Sequence, residues 1–297
     1  MEAWAVKLAT VNRAEGVVGF TKMLIGAIRQ VVDGFSPTGA SMDRVAALVW
    51  RLAAGQIHDV TTPGAGRQFA PSYLEGLLPS APFHAPAAHP WLAPLARRAG
   101  AIQREMHAQA VEGLWAPASK AACQKMFAPE WRIVSLVTSG IWVQGGRFPE
   151  TRAALESASS QGLRAFEVLL ARMPARTSIG SHSDNMNYVL TAHVGLELEE
   201  GSCELTVGEH AHGWREGEAL VFDTSYMHSA VNRSGRDRYV LVIRFWHPSV
   251  SEEERFAFLF LQQVMAQMKA HGQAEVLFQA KHETHGPHAA GPGGPPR

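Results

Sequence analysis

The sequence predicts a mainly β domain, a barrel or a sandwich, with helices at its flanks, so that the fold class is α+β. The first observation is a series of short apolar runs between residues 166 and 246, separated by turn signals such as Glu200-Gly201 and Ser234-Gly235. Short strands with regular turn signals are typical of barrels and sandwiches. The second observation is that the runs before and after this stretch have helical spacing. A chain of 297 residues can form one large domain or two modest ones around such a core.

The chain before the β domain is predicted to be a helical N-terminal region, residues 1–76. Two stretches there have helical spacing, 17–32 and 41–55, and Ser41 is the expected N-cap of the second. We find no residues with evident chemistry in this region. Its expected role is therefore to pack against the core or to form an oligomer contact.

Residues 77–270 are predicted to hold the β domain, and the Gly-, Pro- and His-rich tail, residues 271–297, is predicted to be disordered. Prolines make residues 77–95 extended and rich in turns. Ser251 and Glu254 have the spacing of a capping box at the start of the last helix. Helices are expected at 92–114, 119–127, 151–158 and 252–268. Strands are expected at 133–137, 141–143, 166–171, 188–198, 203–207, 219–222, 228–231 and 239–246.

The composition argues against several classes of function. The chain has 27 basic and 27 acidic residues, and a net charge of zero is not the electrostatic footprint of a nucleic-acid-binding protein. No apolar run is long enough to cross a bilayer, so no membrane partner is expected. The two cysteines, Cys123 and Cys203, are expected to be free thiols, which favours a reducing, cytoplasmic location. Targeting to an organelle and the oligomeric state are left open.

The segment His182-Ser183-Asp184 carries the first chemical signal. Residues two apart on an extended chain point to the same side, so this imidazole and this carboxylate can reach one metal ion. His228, in the run FDTSYMH, is the candidate third ligand, because a later strand of a barrel can return beside the first. Two histidines and one carboxylate form the facial triad of non-haem Fe(II) oxygenases, which leaves positions open for a bidentate co-substrate and dioxygen. We therefore predict an Fe(II) site.

Arg238 extends this hypothesis to the co-substrate. A predicted turn separates Arg238 from His228. Arg238 then precedes the apolar run YVLVIRFW, which predicts a core strand. A co-substrate such as 2-oxoglutarate chelates iron through its 2-oxo acid end, and its far carboxylate needs a buried cation. Arginine suits that role because its planar guanidinium can pair with a carboxylate through two hydrogen bonds. Pairing with Asp237 or another surface acid is the alternative for Arg238.

Six motifs follow one another between residues 77 and 256: PFHAPAAHPWL, GGRFPETRAAL, the H-x(10)-H-V-G-L pattern from His182 to Leu196, GSCELTVG, WREGEALVFDTSYMH and RYVLVIRFWHP. Their order, and their spacing in the second half, resemble the aspartyl/asparaginyl β-hydroxylase family. The resemblance implies a double-stranded β-helix (jelly-roll, cupin-like) core and the use of Fe(II) and 2-oxoglutarate. It also implies that His182 and His228 ligate iron, that Arg238 binds the distal carboxylate of 2-oxoglutarate, and that His193 helps to hold the carboxylate at the metal end.

The chain departs from the family pattern at two positions. The vertebrate enzyme that names the family has glycine where this chain has Asp184, and it uses two histidine ligands only. Asp184 can complete a triad here, or it can point away and hydrogen-bond a backbone amide. Thr191 stands where the family pattern has an arginine, two residues before the histidine of HVGL. The helical repeats of the vertebrate enzyme have no counterpart here, so its substrate is not carried over.

These observations lead to one expected function and two alternatives. The expected function is hydroxylation of a C–H bond in an amino-acid-like substrate, an Asp- or Asn-type residue that is a free small molecule or part of a peptide. Dioxygen and 2-oxoglutarate would be consumed, with succinate and CO2 as co-products. The alternatives are a lipid hydroxylase of the same family and a metal-binding, cupin-like sensor or scaffold without oxygenase activity.

Overall fold

The computed structural model describes residues 2–36, 41–109, 112–117 and 131–270. The helix predicted at 119–127, Cys123 and the tail at 271–297 lie outside the described residues.

Two antiparallel sheets form the core of the described chain. The strands are β1 (His58–Thr62), β2 (Gly66–Ala70), β3 (Phe83–His84), β4 (Ala116–Pro117), β5 (Arg132–Thr138), β6 (Ile141–Trp142), β7 (Ala165–Met173), β8 (Thr177–His182), β9 (Val189–Glu197), β10 (Cys203–Val207), β11 (His210–Gly213), β12 (Ala219–Phe222), β13 (His228–Asn232) and β14 (Arg238–Trp246). The eight-stranded sheet has the order β3-β12-β9-β14-β7-β5-β4, with β6 on β5, and the four-stranded sheet has the order β11-β10-β13-β8. The remaining pair, β1 and β2, is a hairpin.

The two larger sheets pack face to face. Leu169 and Val242 of the large sheet belong to one buried cluster with Leu205 and Val207 of the small sheet, and Trp214 joins this cluster. Two antiparallel sheets that bury their inner faces against each other make a jelly roll. The predicted α+β fold class with a double-stranded β-helix core is therefore confirmed.

The six strands predicted between residues 166 and 246 are all present. β10 and β12 have the predicted bounds, and the other four differ by one or two residues at their ends. β8 was not predicted, because Ile179 is the one apolar residue of its sequence TSIGSH. It lies at the edge of the four-stranded sheet, where one face only is buried.

Six helices flank the sheets in the described chain. They are α1 (Glu2–Phe35), α2 (Asp43–Ala53), α3 (Leu92–Ala96), α4 (Ala99–Gln109), α5 (Pro149–Ser160) and α6 (Glu252–Ala270). Helices α3, α4 and α5 bury their apolar residues with those of the large sheet. Helices α1, α2 and α6 form a second cluster with Tyr188 and Trp246 at the end of the barrel. Within the described residues, no helix combines the length and the hydropathy that a bilayer crossing needs.

The helix termini correct one expectation and confirm another. The N-cap of α2 is Met42 and not Ser41, although the Asp43 N–H lies 3.3 Å from Ser41 Oγ. The capping box at α6 is present: the Glu254 N–H donates to Ser251 Oγ at 3.1 Å, and the Ser251 N–H donates to Glu254 Oε2 at 3.0 Å. The helix expected at 92–114 is divided into α3 and α4.

The N-terminal region also contains the β1–β2 hairpin, which is bound to the barrel. Gly66 and Gly208 meet so closely that a Cβ on Gly208 would lie 1.8 Å from the carbonyl oxygen of Ala65. Both glycines have positive φ angles, +96° and +58°, which only glycine adopts without strain in such a contact. The expectation that residues 1–76 pack against the core therefore holds for this hairpin.

Two buried histidines outside the predicted metal site should make the stability of the protein depend on pH. His84 on β3 and His247 after β14 are 9% and 3% exposed, and their ring centroids are 6.2 Å apart. Burial lowers the pKa of each histidine to about 4, and a nearby imidazole adds to the shift, that of His89 for His84 and that of His84 for His247. The unfolded chain keeps the ordinary value of 6.5 and so binds more protons than the folded chain between these pH values. The stabilisation that comes from keeping these two histidines neutral is fully present above about pH 6.5, and it is lost as the pH falls towards 4.

The measurement is urea unfolding at several pH values between 7 and 4. One pKa unit corresponds to about 1.4 kcal/mol, so each histidine should lower the free energy of unfolding by up to about 3 kcal/mol at pH 4. The double variant His84→Gln/His247→Gln should have a flatter pH dependence than the wild type. The exposed His212→Gln variant is the control and should keep the wild-type slope. Equal slopes for all three proteins would contradict the assignment.

Candidate metal and co-substrate site

The three predicted metal ligands converge at the end of the barrel near α2 and α6. His182 is the last residue of β8 and His228 is the first residue of β13, and the two are direct partners in the pairing of these strands. Asp184 follows His182 by two residues, and its backbone N–H donates to the Thr224 carbonyl at 2.8 Å. One ligand atom of each of the three side chains lies within 4.8 Å of the others. The pairing of β8 with β13 therefore places His182 next to His228, although the two residues are far apart in the sequence.

Backbone hydrogen bonds orient both imidazoles. His182 Nδ1 lies 2.8 Å from the Gly180 carbonyl oxygen, and His228 Nδ1 lies 2.9 Å from that of Tyr226. A carbonyl can only accept, so each Nδ1 carries the proton and each Nε2 keeps its lone pair for a metal. Burial lowers the pKa of His228 to about 4, which keeps this imidazole neutral at pH 7.

The Asp184 carboxylate lies beside these rings and is paired with Arg244. Arg244 Nη2 is 3.3 Å from Asp184 Oδ2, and Arg244 Nη1 donates to Glu167 Oε2 at 3.1 Å. Burial would raise the pKa of Asp184, but the Arg244 guanidinium and the two nearby histidines hold it below its ordinary value. The carboxylate is thus charged and faces the histidines, as a ligand would. Its ligation of a metal stays a prediction.

Arg238 is buried in a cavity that the three predicted ligands also line, and part of its charge is uncompensated. It is 2% exposed, and its guanidinium carbon lies 4.1 Å from the ring centroid of Trp214. Its Nε and Nη1 atoms have no hydrogen-bond partner among the described residues. Burial lowers the pKa of Arg238 to about 10, so the side chain is still charged at pH 7. A buried charge without a partner is costly, and a carboxylate from a bound molecule fits these free donors.

His193 also lies in this cavity. Its ring is stacked near Trp214 at 5.9 Å and meets the Phe222 ring edge-on at 4.9 Å. Burial, and after it the Arg238 charge, holds the pKa of His193 well below its ordinary value, so the ring is neutral. Its Nδ1 atom is buried without a partner in the described chain, as is the Thr191 hydroxyl. Both positions can therefore hydrogen-bond a bound molecule.

The five predicted site residues line one cavity of about 230 Å³. Its other walls are mainly apolar, with Ile179, Leu205, Val240 and Val242 among them. The donor set of two imidazoles and one carboxylate fits Fe(II) in a facial triad, and the free donors of Arg238 fit the far carboxylate of a 2-oxo diacid. The residues present thus agree with the group that the sequence predicted.

Two further features complete the surroundings of the site. Arg244 faces the site as the ion-pair partner of Asp184, which its place among apolar neighbours in the sequence did not decide. The loop before His228 is shaped by Asp223 and Ser225. Asp223 Oδ1 indeed accepts from the Ser225 N–H at 2.8 Å and from the Ser225 hydroxyl at 2.6 Å.

Strand β2 supports both ligand loops, which the sequence did not indicate. Towards the His228 loop, the Phe69 N–H donates to the Ser225 carbonyl at 2.8 Å, and the Gln68 amide donates to the Ser225 hydroxyl at 2.8 Å. Towards the Asp184 loop, the Ser183 hydroxyl donates to the Phe69 carbonyl. No residues with evident chemistry were expected in residues 1–76, and β2 contributes there through hydrogen bonds that support the loops of Asp184 and His228. The sequence signal for this hairpin is the turn pair Pro63-Gly64.

Comparison with known proteins identifies relatives for the part of the chain that carries the site. A sequence model of the family described as aspartyl/asparaginyl beta-hydroxylase matches residues 97–248. Human aspartate beta-hydroxylase domain-containing protein 2 is 32% identical over 139 residues, which is 44% of this chain and 37% of the relative. Mouse aspartate beta-hydroxylase domain-containing protein 1 is 37% identical over 110 residues, 35% of this chain and 29% of the relative. Mouse aspartyl/asparaginyl beta-hydroxylase is 27% identical over 123 residues, 39% of this chain and 17% of the relative. The chain thus spans well under half the length of these relatives.

Solved structures give weaker matches. A Pseudomonas putida prolyl-4-hydroxylase is 17% identical with a TM-score of 0.34, and the match covers 68% of this chain and 98% of that one. An oxidoreductase of the 2OG-Fe(II) oxygenase family from Burkholderia pseudomallei is 16% identical with a TM-score of 0.31, and the match covers 39% of this chain and 68% of that one.

Proposed function

Because the chain belongs to the aspartyl/asparaginyl β-hydroxylase family, we propose that it is an Fe(II)- and 2-oxoglutarate-dependent dioxygenase. In this proposal it hydroxylates a C–H bond of an amino-acid-like substrate, free or in a peptide, and releases succinate and CO2. His182, Asp184 and His228 hold the iron, and Arg238 and His193 bind the co-substrate. A cytoplasmic location is part of the same proposal, and the buried free thiol of Cys203 is consistent with it.

One observation carries the proposal: a possible three-residue metal site and a buried arginine with free donors share one cavity. A metal-binding scaffold needs the first feature but not the second. An uncompensated guanidinium in an apolar cavity destabilises the fold unless a bound anion pairs with it. The cost of Arg238 thus favours an enzyme with an anionic co-substrate over a sensor or scaffold.

The residues of the chain have distinct roles in this mechanism. A bound Fe(II) would supply the activation of dioxygen, with one oxygen atom used to oxidise 2-oxoglutarate to succinate and CO2 and the other inserted into a substrate C–H bond. His182 and His228 would hold the metal through Nε2, since their Nδ1 atoms are bonded to backbone carbonyls. Arg244 keeps the Asp184 carboxylate charged and oriented towards them. Arg238 fixes the far end of the co-substrate, and the apolar walls keep water from the reacting atoms.

The proposal is tested with purified protein, Fe(II), 2-oxoglutarate and air, against a panel of amino acids and of peptides that contain Asp or Asn. We expect succinate to form, and one panel member to gain one oxygen atom in equal amount, as measured by NMR and mass spectrometry. The Arg233→Ala variant, which removes an exposed arginine, is the control and should behave as the wild type. Protein that has demonstrably bound iron but never consumes 2-oxoglutarate would show the proposal to be wrong.

A further inference from the structure

Three polar side chains form a row across one wall of the candidate site. Arg244 of β14 is the direct strand partner of Glu167 of β7 on one side and of Thr191 of β9 on the other. Residues that are directly opposite each other on paired strands have their side chains on the same face of the sheet. All three side chains line the cavity of the candidate metal site. Glu167, Arg244 and Thr191 are called the polar row below.

The polar row lies beside Asp184 and away from Arg238. Arg244 Nη2 is 3.3 Å from Asp184 Oδ2, whereas Arg238 precedes Arg244 by six residues, which is about 20 Å along β14. Exposure also rises along the row: Thr191 is 3% exposed, and the side chains of Arg244 and Glu167 are 19% and 29% exposed. A molecule that enters from solvent over Glu167 therefore meets Arg244 and then Thr191.

Two atoms of the polar row are free to bind a molecule. Thr191 Oγ1 and Arg244 Nε are buried, and neither has a hydrogen-bond partner in the described chain. The other two nitrogens of the guanidinium are engaged, Nη1 with Glu167 at 3.1 Å and Nη2 with Asp184. Buried hydrogen-bonding atoms without partners cost free energy, so a molecule that pairs with both atoms is favoured.

The charge of Arg244 is already balanced. Its guanidinium contacts two carboxylates, those of Glu167 and Asp184. A metal ion that shares the charge of Asp184 would still leave Glu167 to balance Arg244. A further carboxylate at Arg244 Nε would lie near the like charge of Glu167, in partly buried surroundings where repulsion is stronger than in water. The free Nε is therefore better suited to a neutral acceptor.

A carboxamide matches both free atoms of the row. Its oxygen can accept from the Arg244 Nε–H, and its NH2 group can donate to the Thr191 hydroxyl, which accepts as well as donates. An ionised carboxylate offers acceptors only, and an alkyl group would leave both atoms unpaired. Cβ atoms of directly opposite residues are about 5 Å apart, so one small planar group can contact both side chains.

We propose that the polar row binds the carboxamide of an asparagine-type side chain of the substrate and selects it over the corresponding acid. The inference rests on the proposed function and narrows its substrate class. A free amino acid and a residue within a peptide both present this carboxamide.

The test uses two pairs of ligands that differ only in the side chain. The first pair is free L-asparagine and L-aspartate, and the second pair is their N-acetyl α-amides. Binding is measured by calorimetry at pH 7 without dioxygen, to the metal-free protein and to the protein with Mn(II) and 2-oxoglutarate. Each asparagine ligand should bind at least about tenfold more tightly than its aspartate counterpart. The free pair binds more tightly if the substrate is a free amino acid, and the N-acetyl α-amides bind more tightly if it is a residue in a peptide.

The Thr191→Val variant tests the hydroxyl. Valine has a similar shape but no hydrogen-bonding atom, so the variant should be as stable as the wild type or more stable, while the asparagine ligands bind about tenfold more weakly. Thr206→Val is the matched control. Thr206 follows Leu205, which lines the cavity, so its side chain is on the other face of β10, and its replacement should leave all affinities unchanged.

The Glu167→Gln variant tests the charge balance. Glutamine still offers an oxygen to Arg244 Nη1 but removes the negative charge that opposes a bound carboxylate. The preference for asparagine over aspartate should therefore fall at least about tenfold. A purely structural role of Glu167 would weaken both ligands by the same factor and leave their ratio unchanged.

The outcomes separate this inference from the proposed function. Equal or tighter binding of the aspartate ligands, no binding of any of the four ligands, or an unchanged ratio in Glu167→Gln would overturn the inference. Binding of Fe(II) and 2-oxoglutarate to the same protein is followed separately by visible absorption. A normal co-substrate titration without a preference for asparagine rejects the carboxamide subsite alone. A preference for asparagine in protein that binds no co-substrate rejects the proposed function and leaves a carboxamide-binding site.

Discussion

The His228→Ala variant is expected to lose at least about two orders of magnitude in affinity for Fe(II). Loss of a partner that merely orients a metal ligand costs 10- to 100-fold, and loss of the ligand itself should cost more. His182→Ala should behave in the same way, because the two rings are strand partners with the same orientation. Affinity is measured by anaerobic equilibrium titration with Fe(II) and, independently, by magnetic resonance with Mn(II). His212→Ala, at an exposed position, is the control and should bind metal as the wild type does.

Asp184→Ala decides between a triad and a two-histidine site in the same assay. If Asp184 is a ligand, the variant should also lose metal affinity, although less than the histidine variants because both imidazoles stay in place. Wild-type affinity and turnover in Asp184→Ala would instead assign the metal to two histidines alone. The ion pairs that Arg244 makes with Asp184 and Glu167 would then have a purely structural role in the cavity.

The Arg238→Met variant is expected to bind 2-oxoglutarate at least about 100-fold more weakly while it folds as well as the wild type or better. Truncation of one partner of a buried charge pair costs about 2–5 kcal/mol of binding free energy. The free protein, by contrast, is relieved of a buried guanidinium whose Nε and Nη1 have no partner in the described chain, and methionine keeps much of the contact with Trp214. Anaerobic titration with 2-oxoglutarate measures the first effect, and urea unfolding of the metal-free protein measures the second.

Arg172→Met is the matched control for this prediction. Arg172 is partly exposed and pairs with Asp237 at 2.7 Å, next to the start of β14 but outside the cavity. Its replacement should lower the free energy of unfolding slightly and leave the affinity for 2-oxoglutarate unchanged. A marked loss of stability in Arg238→Met, with co-substrate binding intact, would mean that Arg238 is a structural residue.

The half of the fold that carries the candidate site was predictable because its strands carry their own signal. β10 alternates apolar and polar residues and β12 is a continuous apolar run, and the position of Arg238 before an apolar run indicated a core strand. β8 and the β1–β2 hairpin escaped prediction because they are short and mostly polar at their exposed faces. Their stability comes from contacts with distant parts of the chain, which a local pattern does not contain.

The same distinction applies to the site. His182 and Asp184 could be paired from their spacing, and His228 from the return of a later strand. The partnership of Arg244 with Asp184 depends on the register of β14 and on a bulge in β7, and register follows from packing rather than from residue type. A second cavity, of about 400 Å³, is lined by residues of α2, of α6 and of separate barrel segments, so no local sequence pattern marks it.

Strand β2 is hydrogen-bonded to the loops of both Asp184 and His228, so the occupancy of the proposed iron site and the docking of the hairpin should be coupled. A metal ion that fixes the ligands favours the docked hairpin, and a docked hairpin raises the affinity for metal by the same factor. Iron-depleted protein should accordingly be cleaved by proteases first between residues 58 and 72. The rate of this cleavage would then report how much of the proposed metal site is filled.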